Sequence, residues 1–196
     1  MQSKISFKEW LAYISAVVAI AFSVLLILLP GTTPPSSVPD VVSPGQVSPG
    51  LPVRLKIPAI NVDAAIEYVG VASDGSMDVP KGPDDVAWFR LGPRPGAEGS
   101  AVIAGHYGWK DNRPAAFDKI STLRKGDVLS VEDEKGTILT FVVRESRLYD
   151  PKADAKDVFG SSDGKAHLNL VTCEGVWDPV SKSYAKRLVV FTDREE

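Results

Sequence analysis

His167-Leu168-Asn169-Leu170-Val171-Thr172-Cys173-Glu174-Gly175 is the stretch from which the rest of this chain is read. Its period of two is that of a β-strand: Leu168, Leu170 and Thr172 share one face, and Asn169, Val171 and Cys173 share the other. The strand is expected to end at Cys173, before a Glu-Gly turn. Cys173 is the only cysteine in 196 residues, so no internal disulfide is available to it. The chemistry best suited to a lone thiol is nucleophilic attack. The alternative is a thiol buried in the core, a common fate for free cysteine.

Similar runs flank it. Val53–Ile57, Val62–Val69, Ala101–His106, Val128–Glu132, Thr137–Leu148 and Arg187–Thr192 are short and rich in β-branched residues. Turn residues separate them, as at Ser73-Asp74-Gly75, Gly92-Pro93-Arg94-Pro95-Gly96, Lys125-Gly126-Asp127, Glu134-Lys135-Gly136 and Asp163-Gly164. Strands at this spacing point to a sandwich or barrel. Helical signals are confined to Ala115–Leu123 and Pro151–Phe159, so the expectation is a mainly β domain with two or three short helices.

Bulk properties narrow the function. The net charge is −3, and residues 53–196 carry 20 basic against 23 acidic side chains. Without a basic stripe there is no electrostatic footprint for nucleic acid. One cysteine and two histidines are too few for a structural zinc site. Acidic pairs such as Asp84-Asp85 and the run Glu132-Asp133-Glu134 do not form a calcium loop. No required metal or cofactor is expected.

From Trp10 to Leu29 runs an uncharged stretch, WLAYISAVVAIAFSVLLILL, which as a helix spans roughly 30 Å, the thickness of a hydrocarbon core. Lys4 and Lys8 precede it, and no Lys or Arg follows until Arg54. The positive-inside rule therefore expects residues 1–9 in the cytoplasm, 10–29 as a single-pass anchor, and the rest outside. The apolar run exceeds that of a cleaved signal peptide, and Leu-Leu-Pro-Gly-Thr-Thr is a poor cleavage site. Residues 30–52 are dominated by Pro, Gly, Ser, Val and Thr and read as an extended spacer. Residues 53–196 are the outer domain. An extracellular thiol with no disulfide to form strengthens the case for a chemical role.

A thiol of ordinary pKa, about 8.5, needs a base to attack at neutral pH. His106 closes the apolar strand Ser100–Gly105, with Gly105 before it to permit close backbone approach or an unusual dihedral. His167 opens the cysteine's own strand, roughly 20 Å from the thiol at about 3.3 Å per residue, and reads as a surface or strand-start residue. Geometry favours His106, although a solvent-facing histidine at a strand end fits the same pattern. Arg187 follows Cys173 by 14 residues and heads Arg187-Leu188-Val189-Val190-Phe191. A hairpin-like return brings it to the thiol, where a guanidinium could hold a developing oxyanion. By spacing alone, a solvated strand-end arginine beside Lys186 is the commoner outcome.

With these residues in view the chain resembles the sortases, membrane-anchored cysteine transpeptidases of Gram-positive bacteria. Ala104-Gly105-His106 is similar to the family's histidine motif. Phe117, Ile120, Leu123 and Gly126-Asp127 match the pattern that follows it. Leu170-Val171-Thr172-Cys173 resembles the nucleophile signature T-L-x-T-C, with Asn169 departing from its opening Thr. Arg187 before Leu188-Val189-Val190 resembles the catalytic arginine, and Ile57-Pro58 with Ile60-Asn61-Val62 the family's first strands. The resemblance covers about residues 53–192 and points to the actinobacterial class E and F groups.

It implies an eight-stranded sortase-type β-barrel and a substrate bearing an LPXTG-like sorting signal. Cys173 would attack the signal's Thr carbonyl to form a thioacyl-enzyme, with His106 as acid or base and Arg187 steadying the oxyanion. A peptidoglycan precursor or pilin amine would resolve the intermediate. Ala104 and Val171 would border the peptide groove, the loop from about Tyr149 to Lys165 would shape specificity, and Thr172 would support the site. Two other readings stand beside this one. An L,D-transpeptidase resembles S-x-G-C-x-R around its thiol, which Thr172 before and Glu174-Gly175 after Cys173 fit poorly. A non-catalytic extracellular β-domain would need neither Cys173 nor His106, and rapid alkylation of Cys173 is expected to exclude it.

Overall fold

The apolar runs form strands that bury one face in a common interior, and those around Val102, Val171 and Val189 are covered on the other face as well. A computed structural model describes residues 48–180 and 183–195. The expected anchor and most of the expected spacer lie outside the described residues. Among the described residues, no helix is long and apolar enough to cross a membrane.

The strands are β1 (Pro52–Ile57), β2 (Val62–Val69), β3 (Val86–Phe89), β4 (Gly99–Gly105), β5 (Val128–Asp133), β6 (Ile138–Tyr149), β7 (Ala166–Asp178) and β8 (Ser183–Arg194). They close into a barrel in the order β1-β2-β3-β4-β7-β8-β6-β5. β2 with β3 and β4 with β7 are parallel, and the other pairs are antiparallel. A one-turn α-helix at Lys156–Phe159 and 3-10 turns at Pro58–Ile60, Lys110–Asn112 and Ile120–Thr122 complete the described elements.

The mainly β barrel with few short helices agrees with the expected fold. β3 is the strand that the sequence does not announce. Its four residues, Val86-Ala87-Trp88-Phe89, are too few to show a period between the Pro- and Asp-rich approach and the Gly92–Gly96 turn. It forms because β2 and β4 supply partners on both sides.

Alternation along the strands builds two apolar layers. Leu55, Ile57, Ala101, Ile103, Leu168 and Leu170 point into the barrel and pack with Phe117, Phe141 and Val190. Val102, Val189 and Phe191 point outward and are covered by Val158 from the one-turn helix, with Val171 packed at the margin. β4 is therefore buried on both faces, which explains its near-continuous apolar sequence.

The last residues of the proline-rich stretch join the fold. Gly50 donates its backbone N–H to Asp133 at 3.0 Å, and Asp133 also accepts from the N–H groups of Lys135 and Thr137 at 2.9 and 2.8 Å.

His167, expected as a surface or strand-start residue, stands second in β7 but is buried, with 5% exposure. Its Nδ1 lies 2.8 Å from Asp193 and its Nε2 3.0 Å from Asp163, so it ties the end of the β6–β7 loop to β8. The His167 bond, followed by those from Ser161 and the Lys165 backbone, holds the Asp163 carboxyl well below the usual carboxylate range. Asp163 therefore contributes stability above its unfolded pKa of about 3.9, and that contribution is lost as pH falls towards the folded value. Urea unfolding of wild type and Asp163→Asn is expected to differ fully above about pH 5 and to begin converging below about pH 4, the difference closing only as pH approaches the much lower folded value.

Candidate active site

Two parallel strands deliver the candidate pair. β4 and β7 run together from Gly99↔Ala166 to Ala104↔Val171. One residue further, the Thr172 hydroxyl donates to the Gly105 carbonyl at 2.8 Å, and one more brings each strand to His106 and Cys173. Because these strands are parallel and in step, the histidine and the thiol emerge at the same end of the barrel. Thr172 points to the interior side with 3% exposure, so parity turns Cys173 to the outer face, as the sequence predicts.

β8 supplies the third group. Cys173 and Arg187 are register partners in the antiparallel β7–β8 ladder. Cys173 does not end its strand, as expected from the sequence. β7 continues to Asp178 across an irregularity between Glu174 and Trp177, where Gly175 adopts φ 89°. The extra residue of this bulge lets Trp177 pair with Tyr184 beyond the kink.

His106, Cys173 and Arg187 share one open groove of about 580 Å³, with Tyr107, Trp109 and Tyr184 also in its wall. Tyr184 meets Tyr107 and Trp177 edge-on at centroid distances of 5.5 and 5.2 Å, and Trp109 meets the His106 ring at 4.7 Å. Sequence reasoning did not select these aromatic residues. Their signal was proximity, since Tyr107 and Trp109 follow His106 and Tyr184 precedes Arg187 by three positions. Ala104 and Val171 face each other two residues before the catalytic candidates, on the same outward face. They lie beside the groove and do not line it.

The His106 segment is clamped from below. Phe117 donates its N–H to the His106 carbonyl at 3.1 Å, and Asp118 accepts from Gly108 N–H at 2.6 Å. Phe117 is fully buried, and its ring lies where a Cβ on Gly105 would be, with the nearest ring atom 2.5 Å away. Of the two roles open to Gly105, close approach is the one used. The imidazole Nε2 sits 2.7 Å from the Pro80 carbonyl.

The thiol and the guanidinium differ in setting. Burial pushes the Cys173 thiol up, and the Arg187 charge only partly opposes this. Arg187 donates to the carbonyls of Tyr184 and Lys186 at 3.2 and 3.0 Å and to Ser183 Oγ at 3.2 Å. It makes no ion pair among the described residues, so its charge remains available to an incoming anion. The arrangement presents a neutral, half-buried thiol, an imidazole and an unneutralised cation along one groove. Those are the parts that acyl transfer needs.

Two tests follow from this geometry. Thr172→Val removes the hydroxyl bond to the Gly105 carbonyl, and Gly105→Ala drives a methyl into Phe117. Each is expected to destabilise the domain by about 1–3 kcal/mol in urea unfolding. A thiol raised by burial overturns the rapid alkylation expected from the sequence, and slow uptake at neutral pH no longer separates a catalytic thiol from a core one. Iodoacetamide uptake at Cys173 should be slow at neutral pH and rise steeply above the ordinary thiol pKa of about 8.5, followed by mass spectrometry across a pH series.

Comparison with known proteins agrees with this construction. A family model for the sortase domain matches residues 55–195. Among solved structures, sortase C-1 from Actinomyces oris superimposes with a TM-score of 0.59 at 24% identity, covering 74% of this chain and 73% of that one. Sortase C from Clostridium perfringens SM101 gives 0.55 at 24% identity, with 76% and 72% coverage. Sortase A from Corynebacterium diphtheriae gives 0.57 at 20% identity, with 76% and 62% coverage. At these identities the structural likeness speaks for the fold. No curated protein matches in sequence.

Proposed function

Because the chain belongs to the sortase family of cysteine transpeptidases, which act on sorting signals, we propose that Cys173, His106 and Arg187 are its catalytic residues. We further propose that its substrate is a secreted protein bearing an LPXTG-like signal. The observation that carries the residue assignment is their convergence in one groove from three different strands or strand ends.

The chemistry follows from that arrangement. The Cys173 thiol rests protonated, because burial raises it. As Sγ attacks the carbonyl of the signal's Thr, its proton passes to His106 and an oxyanion develops. Arg187 holds that oxyanion with an uncompensated charge. Collapse breaks the peptide C–N bond, and His106 returns the proton to the departing amine. The thioacyl-enzyme is then attacked by an amine from a peptidoglycan precursor or a pilin, which restores the thiol. Arg187 cannot be replaced by a lysine of equal effect, since its planar donors are already spread along the β8 backbone.

Ala104 and Val171, adjacent to the groove, fit the role of bordering the bound peptide, and Thr172 supports both strands. The β6–β7 loop lies over the outer faces of β4 and β8 through Val158, which suits it to shape specificity. The sequence of residues 1–52 supports a single-pass anchor with its N-terminus in the cytoplasm and the catalytic domain outside the cell. The motif resemblance supports a place in the actinobacterial class E and F groups.

Acyl transfer from an LPXTG-like peptide to a small amine tests the assignment. Cys173→Ala and His106→Ala are each expected to fall to background while retaining the wild-type circular dichroism spectrum. Arg187→Ala is expected to lose about 100-fold or more in kcat, as for an oxyanion donor, with Arg187→Lys recovering only part. Transfer retained by the Cys173 or His106 variant would overturn the assignment.

A further inference from the structure

The geometry points to Nδ1 of His106 as the nitrogen that exchanges protons in the groove, because the Pro80 carbonyl keeps the other ring proton on Nε2. This rests on the reading of His106 as the general acid and base. A carbonyl oxygen only accepts hydrogen bonds. At 2.7 Å from Nε2 it selects the tautomer with hydrogen there and leaves Nδ1 with its lone pair.

That carbonyl is fixed for the purpose by contacts along its own segment. Pro80 is buried, and its ring limits φ. On one side Asp78 donates its N–H to the Gly70 carbonyl at 3.0 Å; on the other, Lys81 N–H donates to the Glu67 carboxylate at 3.1 Å. Further on, the Pro83 carbonyl accepts from Ala116 N–H at 2.7 Å, and Asp84 pairs with Arg113. The segment is thus stapled both to β2 and to the chain that carries Phe117 and Asp118, the residues that hold His106 and Gly108. Trp109 packs edge-on against the imidazole and limits its rotation.

The consequence is a defined proton path. The Cys173 S–H bond breaks as Sγ bonds to the acyl carbon, and the proton goes to Nδ1. The imidazolium so formed keeps its Nε2–H on the Pro80 carbonyl, where the bond strengthens because the donor is now charged. When the C–N bond breaks, the Nδ1 proton moves to the leaving amine. Pro80 acts through its main chain as a positioning residue, and Glu67 positions Pro80.

Nitrogen-15 spectra of the full chain labelled at histidine test this directly. Only two histidines contribute, and His106→Gln identifies the relevant one. At a pH where the imidazole is neutral, the hydrogen is expected on Nε2. Pro80→Gly should mix the tautomers and lower kcat about tenfold, a fraction of what acid–base catalysis supplies, with KM unchanged. Glu67→Ala should act in the same direction and more weakly, and Glu67→Gln, which keeps an acceptor oxygen, should restore wild-type behaviour. Hydrogen on Nδ1 in the wild type overturns the inference. So does an unchanged tautomer in both Pro80→Gly and Glu67→Ala. An active His106→Ala enzyme would instead remove the acid–base role while leaving the tautomer assignment intact, so the two failures are distinguishable.

Discussion

The hydrogen bond from Thr172 to the Gly105 carbonyl fixes the relation on which the site depends. It joins two parallel strands at the last residues before the histidine and the thiol. Without it β4 and β7 could part just where their side chains must stay in step, because the last ladder pair is Ala104↔Val171. A slip of one residue would turn Cys173 into the barrel and His106 away from it. Phe117 reinforces the same point from inside by filling the space that a side chain on Gly105 would take.

Around that joint the polar groups are disposed unequally. Burial keeps the thiol protonated at rest, while Arg187 meets only neutral acceptors. A negative charge arriving in the groove therefore meets a cation that, among the described residues, pairs with no carboxylate. His167 serves a different purpose with the same chemistry. Held between Asp163 and Asp193, it secures the loop that covers the outer face of the sheet.

Much of this was legible in the chain. Seven of the eight strands announce themselves by period and punctuation, and β2 does so to the residue. β3 does not, because four residues buried on both sides carry no alternation. The length of the β7–β8 hairpin was hidden as well. Glu174-Gly175 reads as a stop, yet Gly175 can take a positive φ and bulge instead, so the ladder resumes at Trp177 and Tyr184. His167 looked peripheral because one of its carboxylate partners, Asp193, becomes a neighbour only when β7 lies against β8. The aromatic wall and Pro80 carried no signal of their kind. A backbone carbonyl 26 positions from the histidine it meets leaves no mark in residue identity.

Period and side-chain chemistry along the chain specify seven of the eight strands, the residues that share a face with Cys173, and three chemically apt residues in order. These depend on local period and on side-chain chemistry, which are written along the chain. Folding alone fixes the register that sets Cys173 opposite Arg187, the groove that His106 shares with them, and the engagement of Nε2 of that histidine with Pro80. Those outcomes depend on barrel closure and register, which are set by packing between residues far apart in sequence, and no local pattern encodes them.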